Sequence, residues 1–286
     1  MKKLLLSVVI VVIILSVSVF AFMGCQGQTS LTQIFSESNI WTEASFPETF
    51  TYSMYKYGEE ASMGTLTMKV EKLNASTTYY LGKDGLTDAD NQIYSVTTAS
   101  GNATYMTTTT LEATNYSQTS IALFANNYKM LATYSKIVDN GVETSFVAHN
   151  VDNKRYYYKT NADWSKEYAI KNGKYISAPY FDNTMIYYVA RSIPNDSSYA
   201  TFTFNIFDHE TNKKEKVTLT HSGDTATTVP VGEEALSCRT INMTTSDALL
   251  GKTNNITCFV TYAPYKGYKQ VITKIIEGNY IYVLNA

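Results

Sequence analysis

In the run TFTYSMYKYG, Phe50, Tyr52 and Met54 fall on one side and Thr49, Thr51 and Ser53 on the other. After GEEAS, Leu66, Met68 and Val70 alternate in the same way with Thr65, Thr67 and Lys69. Successive side chains of a strand point to opposite faces, so a period of two marks a half-buried strand and excludes an amphipathic helix. Two such strands about ten residues apart, joined by a polar turn, form a β-hairpin.

The pattern repeats along the chain. Turn signals at Asp84-Gly85, Ser100-Gly101-Asn102, Asn140-Gly141, Asn172-Gly173 and Gly278-Asn279 separate runs such as QIYSVTTA, TYMTTTTLEA, KRYYYKT, TFTFNIF, KVTLTH, KQVITKII and YIYVLN. Asn-Gly and Asp-Gly accept the positive φ that a tight hairpin turn needs. Hairpins strung in sequence give an antiparallel meander rather than a parallel α/β sheet. One segment departs from this: in FDNTMIYYVARS, Met185, Tyr188 and Val189 have helical spacing, with Asp182 or Asn183 placed to cap. The expected fold is mainly β, an antiparallel meander forming a strongly curved sheet or incomplete barrel with one short helix. A subdivision near residues 175–195 would fall at that helix.

Composition agrees with this reading. The chain has 24 tyrosines, only 5 prolines and 2 tryptophans, and tyrosine suits a pleated, half-buried surface. Hydrophobic residues make up 44% of it, ordinary for a folded chain.

The N-terminus gives the compartment. Met1, Lys2 and Lys3 precede a run from Leu4 to Met23 broken only by three serines, and Gly24 and Cys25 follow. A charged start, an apolar core and a small residue before a break describe an export signal. Phe22-Met23-Gly24-Cys25 resembles the lipobox of bacterial lipoproteins, departing from it at the first position, where leucine is common. That resemblance implies cleavage after residue 24 and lipidation of Cys25. An uncleaved anchor helix is the alternative, since about 20 apolar residues span a bilayer. Either way Lys2 and Lys3 stay inside and the rest is extracytoplasmic, tied to the bacterial cell membrane, or to the outer membrane in a host that has one. Residues 25–44 read as a tether and 45–286 as the β-rich domain. Without Lys2 and Lys3 the chain has 21 basic and 25 acidic side chains, a net charge of −4. That charge is too mild for a nucleic-acid partner.

Cys238 and Cys258 remain, and outside the cytoplasm an even pair is a candidate disulfide. Strands at 238–244 and 256–262 would allow it if residues 238 and 258 stand opposite each other.

The order of features resembles an exported, β-rich bacterial lipoprotein family of unknown function. The carriers of the resemblance are FTYSMYKYGEEASMGTLTMKVEKL, DNTMIYYVARS, TFTFNIFDHETNKKEKVTL and the close YIYVLNA. Such proteins are similar in outline to the curved-sheet carriers and receptors of bacterial lipoproteins. The resemblance implies a sheet wrapped around a helix or groove, and no catalytic residue. A groove of this kind would take a lipid, acyl chain or hydrophobic peptide and be lined by residues such as Leu66, Met68, Phe202 and Phe204. The alternative is an envelope interaction module binding protein or glycan through a tyrosine-rich surface, with Tyr79-Tyr80, Tyr156–Tyr158 and Tyr187-Tyr188 as the ring clusters.

Catalytic and metal signals are weak. His149, His209 and His221 are far apart and lack a second ligand at metal spacing. His221, Ser222 and Asp224 in HSGD are neighbours on an extended chain and read as a turn. Asp84, Asp88, Asp90 and Asn91 lack the glycine and closing glutamate of a calcium loop and read as a solvated hairpin loop. NKKEK, residues 212–216, reads as a solvated tip. No phosphate loop, dinucleotide fingerprint or G-x-S-x-G is present, so the sequence implies no cofactor, no metal and no enzyme.

Overall fold

The computed structural model describes residues 40–41, 46–82, 85–98, 104–125, 130–150, 155–160, 166–169, 185–195, 201–208, 213–222, 225–249 and 253–286. The signal segment and Cys25 lie outside them. Residues 31–286 belong to one compact unit.

The first hairpin forms as its alternation requires. β1 (Glu48–Lys56) and β2 (Gly64–Leu73) pair antiparallel, with Phe50 opposite Met68 and Tyr52 opposite Leu66 on the inner face. From β2 the chain builds one arm of a large sheet: β6 (Thr104–Ala113), β7 (Tyr116–Ala125), β8 (Met130–Asp139), β9 (Val142–Asn150), β10 (Arg155–Thr160) and β11 (Lys166–Ala169). Asn140 and Gly141 both have positive φ, 50° and 76°, between the paired residues Asp139 and Val142, the geometry of a two-residue hairpin turn.

A short helix, α1 (Ile186–Ser192), then precedes the second arm. That arm comprises β12 (Thr201–Asp208), β13 (Lys213–His221), β15 (Glu234–Leu249), β16 (Thr253–Thr261), β17 (Ile272–Glu277) and β18 (Tyr280–Leu284), with β14 (Thr227–Val231) paired to β15. β18 pairs with β1, so the first and last strands meet in the middle of a fifteen-stranded sheet. β11 and β12 end the strand order and do not pair, so the sheet stays open. Among the described residues the two arms are one sheet joined through β1 and β18, and residues 175–184 lie outside them.

The position of α1 requires the sheet to curl. Seven residues of helix are about 10 Å long. Yet Tyr188 bonds the carbonyl of Thr108 on β6, and Arg239 on β15 bonds the carbonyls that follow the helix. On a flat sheet those two strands, six spacings apart, would be about 29 Å from each other. Every residue of α1 is buried. Its N-cap is Met185, without a side-chain cap bond, in place of the expected Asp182 or Asn183, which lie outside the described residues.

One hydrophobic cluster fills the inner face, combining residues of α1 with both arms, from Met130 on β8 to Phe204 on β12. Ile40 and Trp41 belong to it, 1% and 3% exposed, so the expected tether, residues 25–44, enters the core before it ends. The Trp41 ring lies 5.0 Å from Phe124 and 6.3 Å from Tyr188.

The outer face carries a second core that the alternation alone does not announce. Between β2 and β6 the chain forms a small sheet of β3 (Thr78–Gly82), β4 (Gly85–Thr87) and β5 (Gln92–Thr97). Leu81 and Val96 of that sheet cluster with Met106, Ile121, Leu123, Ala132 and Tyr134 of β6 to β8. These strands are therefore covered on both sides.

Candidate functional site

Among the described residues, charged side chains are buried in the apolar interior at both ends of α1. At the C-terminal end Arg191 is fully buried. It forms an ion pair with the buried Glu48 of β1, donates from Nε to the Gln270 carbonyl at 2.9 Å, and donates from Nη2 to the Lys269 carbonyl at 2.9 Å. Its guanidinium also lies 5.2 Å from the centre of the Phe50 ring. Burial pushes the Glu48 carboxyl up, and the Arg191 charge opposes that push.

Gln270 adopts a left-handed backbone, φ 50°, and offers two acceptors. Its carbonyl serves Arg191, and its side-chain oxygen serves Arg239. Arg239 also donates to the carbonyls of Ile193 and Pro194, which follow the helix. Burial holds the Arg239 guanidinium down to about 10.

At the N-terminal end Tyr187 donates to Glu277 Oε2 at 2.9 Å and Tyr282 donates to the same oxygen at 3.3 Å. Glu277 is buried, and its Oε1 has no partner. Burial, reinforced by the Glu277 charge, pushes the Cys258 thiol and the Tyr187 and Tyr282 phenols upward. An acid near the first turn and arginines near the last match the helix dipole.

A thiol raised by burial is not a nucleophile. Among the described residues no three His, Cys, Asp or Glu side chains are grouped to hold a metal. No protein-family model, curated protein or solved structure matches the chain.

The four residues expected to line a groove do come together, but around the chain's own filler. Leu66, Met68 and Phe204 are buried in the α1 cluster and Phe202 packs at its edge, its ring 5.6 Å from that of Phe204. Tyr187 and Tyr188 are both core residues, so that pair supplies no surface ring. Tyr79 and Tyr80 are half-buried, and the side chains of Tyr156–Tyr158 lie outside the described ones.

His209, Asp84 and Asp224 are outside the described residues, as is the side chain of His149. His221 ends β13 and is buried, while Ser222 turns the chain by accepting from the Thr240 amide at 3.0 Å. Asp88 accepts from the amides of Asp90 and Asn91 at 3.0 Å each, the bonding of a polar turn. In NKKEK, β13 already begins at Lys213, and Glu215 is buried opposite Ile206 instead of standing at a solvated tip.

The expected Cys238–Cys258 bridge is corrected. Cys238 stands opposite Thr261, and Cys258 opposite Ile241. An offset of three residues puts the two side chains on opposite faces and about 10 Å apart along the strand, whereas a disulfide needs Cα atoms within about 7 Å. Both thiols are free, with Cys238 Sγ 3.2 Å from Thr273 Oγ1. Non-reducing peptide mapping is expected to recover the two cysteines on separate, singly alkylated peptides. A peptide pair linked through 238 and 258 would refute this register.

Glu48, Arg191, Arg239, Gln270 and Glu277 were not singled out by motif. A signal for two of them exists: Glu48 shares the parity of Phe50, Tyr52 and Met54, and Glu277 that of Ile275.

Proposed function

We propose that this chain is an extracytoplasmic, non-enzymatic bacterial lipoprotein, tied to the membrane through Cys25, whose curved sheet receives an amphiphile on its inner face. The observation that carries the reading is how that face is filled. Its occupants are a seven-residue helix and Trp41, held by ring contacts, side-chain hydrogen bonds and one ion pair. A filler that is not a strand of the sheet can be displaced without unzipping the ladder. The inner face also combines a broad apolar lining with a few convergent polar groups, the usual character of a site for a part-polar ligand.

The same filling favours a second reading. An interior packed by its own chain leaves recognition to the surface, through a protein or glycan partner. The exposed large side chains Tyr57 and Met63, which flank the β1–β2 turn, would belong to such a surface.

Native mass spectrometry of membrane-extracted protein, followed by lipid extraction, separates the two. A co-purifying amphiphile is the expected result; a clean apo mass overturns the first reading in favour of the second. Intact mass of the same sample is expected to show a diacylated N-terminal Cys25, and an unprocessed Met1 would overturn the anchor.

A further inference from the structure

We propose that Glu277 and the phenols around it form a seat for a primary alkylammonium group, the head group of the bound amphiphile. The ligand class rests on the function proposed above, while the seat rests on its own atoms. Glu277 is the last residue of β17, facing inward one position before the exposed Gly278-Asn279 turn. It therefore sits at an end of the interior, close to solvent along the chain.

An ionised carboxylate offers about four acceptor positions. Here Tyr187 and Tyr282 both donate to Oε2, and Oε1 is buried with no partner. A buried anion needs a counter-charge as well as donors. Among the described residues its neighbours do not supply one: the two phenols and the Cys258 thiol are held neutral by burial and by the Glu277 charge itself. The two buried arginines among the described residues are engaged at the other end of α1, Arg191 with Glu48 and Arg239 with the carbonyls of Ile193 and Pro194. Lys56 lies two strands away in the same row, through Tyr280, but is exposed and reaches toward Glu59 at 3.9 Å.

What the seat lacks is a positively charged N–H donor. A primary ammonium carries three N–H donors and would bond Oε1 directly, whereas a quaternary ammonium has none. One carboxylate and two phenols are too few ligands for a hard metal ion, which takes six or more oxygens. The half-buried rings of Tyr116 and Tyr280, at the edge of the same cluster, suit a cation entering from that end.

The test uses detergent-extracted full-length protein and three probes that share one butyl chain: n-butylammonium, n-butyltrimethylammonium and 1-butanol. A ligand that binds only the folded state raises its melting midpoint. Butylammonium is expected to raise it, the trimethyl analogue to act more weakly, and 1-butanol to have no effect. In Glu277→Gln the apparent affinity for butylammonium should fall roughly tenfold to a hundredfold, the range for losing a charge-assisted hydrogen bond. No response to butylammonium, an equal response to 1-butanol or to the trimethyl analogue, or a Glu277→Gln variant that responds like the wild type each overturns the seat. Should the variant fail to fold, the three probes on the wild type decide alone. A co-purifying amphiphile without a butylammonium response removes the seat and leaves the proposed function. The converse result keeps the seat and removes the amphiphile.

Discussion

Raised from pH 9 to pH 11, the protein is expected to unfold cooperatively. Tyr52, Tyr187, Tyr188 and Tyr282 are buried, and burial pushes all four phenols above their ordinary value of 10. Below that value folded and unfolded chains hold the same phenolic protons. Above it the unfolded chain releases them and the folded chain does not, so stability falls as pH rises. At pH 11 each such group has lost about 1.4 kcal/mol, and the four together about 6. Cys258, raised by burial from 9, adds to the loss. Arg239, held down to about 10, opposes it, because the folded guanidinium sheds its proton more readily than the unfolded one. The thiol starts titrating a full unit lower than the phenols, so its loss outweighs that relief. A total near 6 kcal/mol is comparable to the whole stability of an ordinary domain, about 5–15 kcal/mol. Absorbance at 295 nm should show a steep rise in tyrosinate that coincides with loss of the β signal in circular dichroism. A single shallow titration of every tyrosine with the β signal intact would mean these four rings are not buried.

The same four tyrosines show where sequence legibility stops. Tyr52 was readable as a core residue because it sits in a clean alternation with one wet face. Tyr187 and Tyr188 were readable as helical but not as doubly buried, because a helix enclosed by a curled sheet has no wet face to leave a stripe. Ser120 to Phe124 on β7 likewise shows no alternation; the small sheet covers its outer side, so both faces are buried. Ile40 and Trp41 stand before the first regular strand, with no periodicity to betray their burial. The cysteine pairing depended on a register that spacing along the chain does not set, and β16 carries a shift at Phe259/Val260 on its other side. Glu48 and Glu277 lay open to the argument of parity, each a charge on the side of a strand that faces the core. Their partners, Arg191 for the first and Tyr187 for the second, are 143 and 90 residues away, and only the curl of the sheet around α1 brings them together.

Replacing Arg191 by methionine is expected to destabilise the domain by about 3–5 kcal/mol, the range for breaking a buried ion pair by removing one partner. For a domain of this size that lowers the melting midpoint by about 6–20 °C. The loss does not come from the attraction itself, which burial of two charges largely offsets. It comes from what remains: Glu48, fully buried, would lose its counter-ion and must either carry an uncompensated charge or take up a proton, and the carbonyls of Lys269 and Gln270 would lose their donor. Glu48→Met alone should be comparably damaging for the mirror reason, since it strands a buried guanidinium. Glu48→Met/Arg191→Met should then melt above either single variant, because no unpaired charge is left in the interior. If the double variant instead loses the sum of the two single losses, the pair is not coupled and Arg191 acts only through the carbonyls at 269 and 270. That distinction bears on α1 as a displaceable filler. A helix held mainly by one ion pair to β1 is released by neutralising that pair, whereas one held by backbone carbonyls is released only when the segment around Gln270 moves.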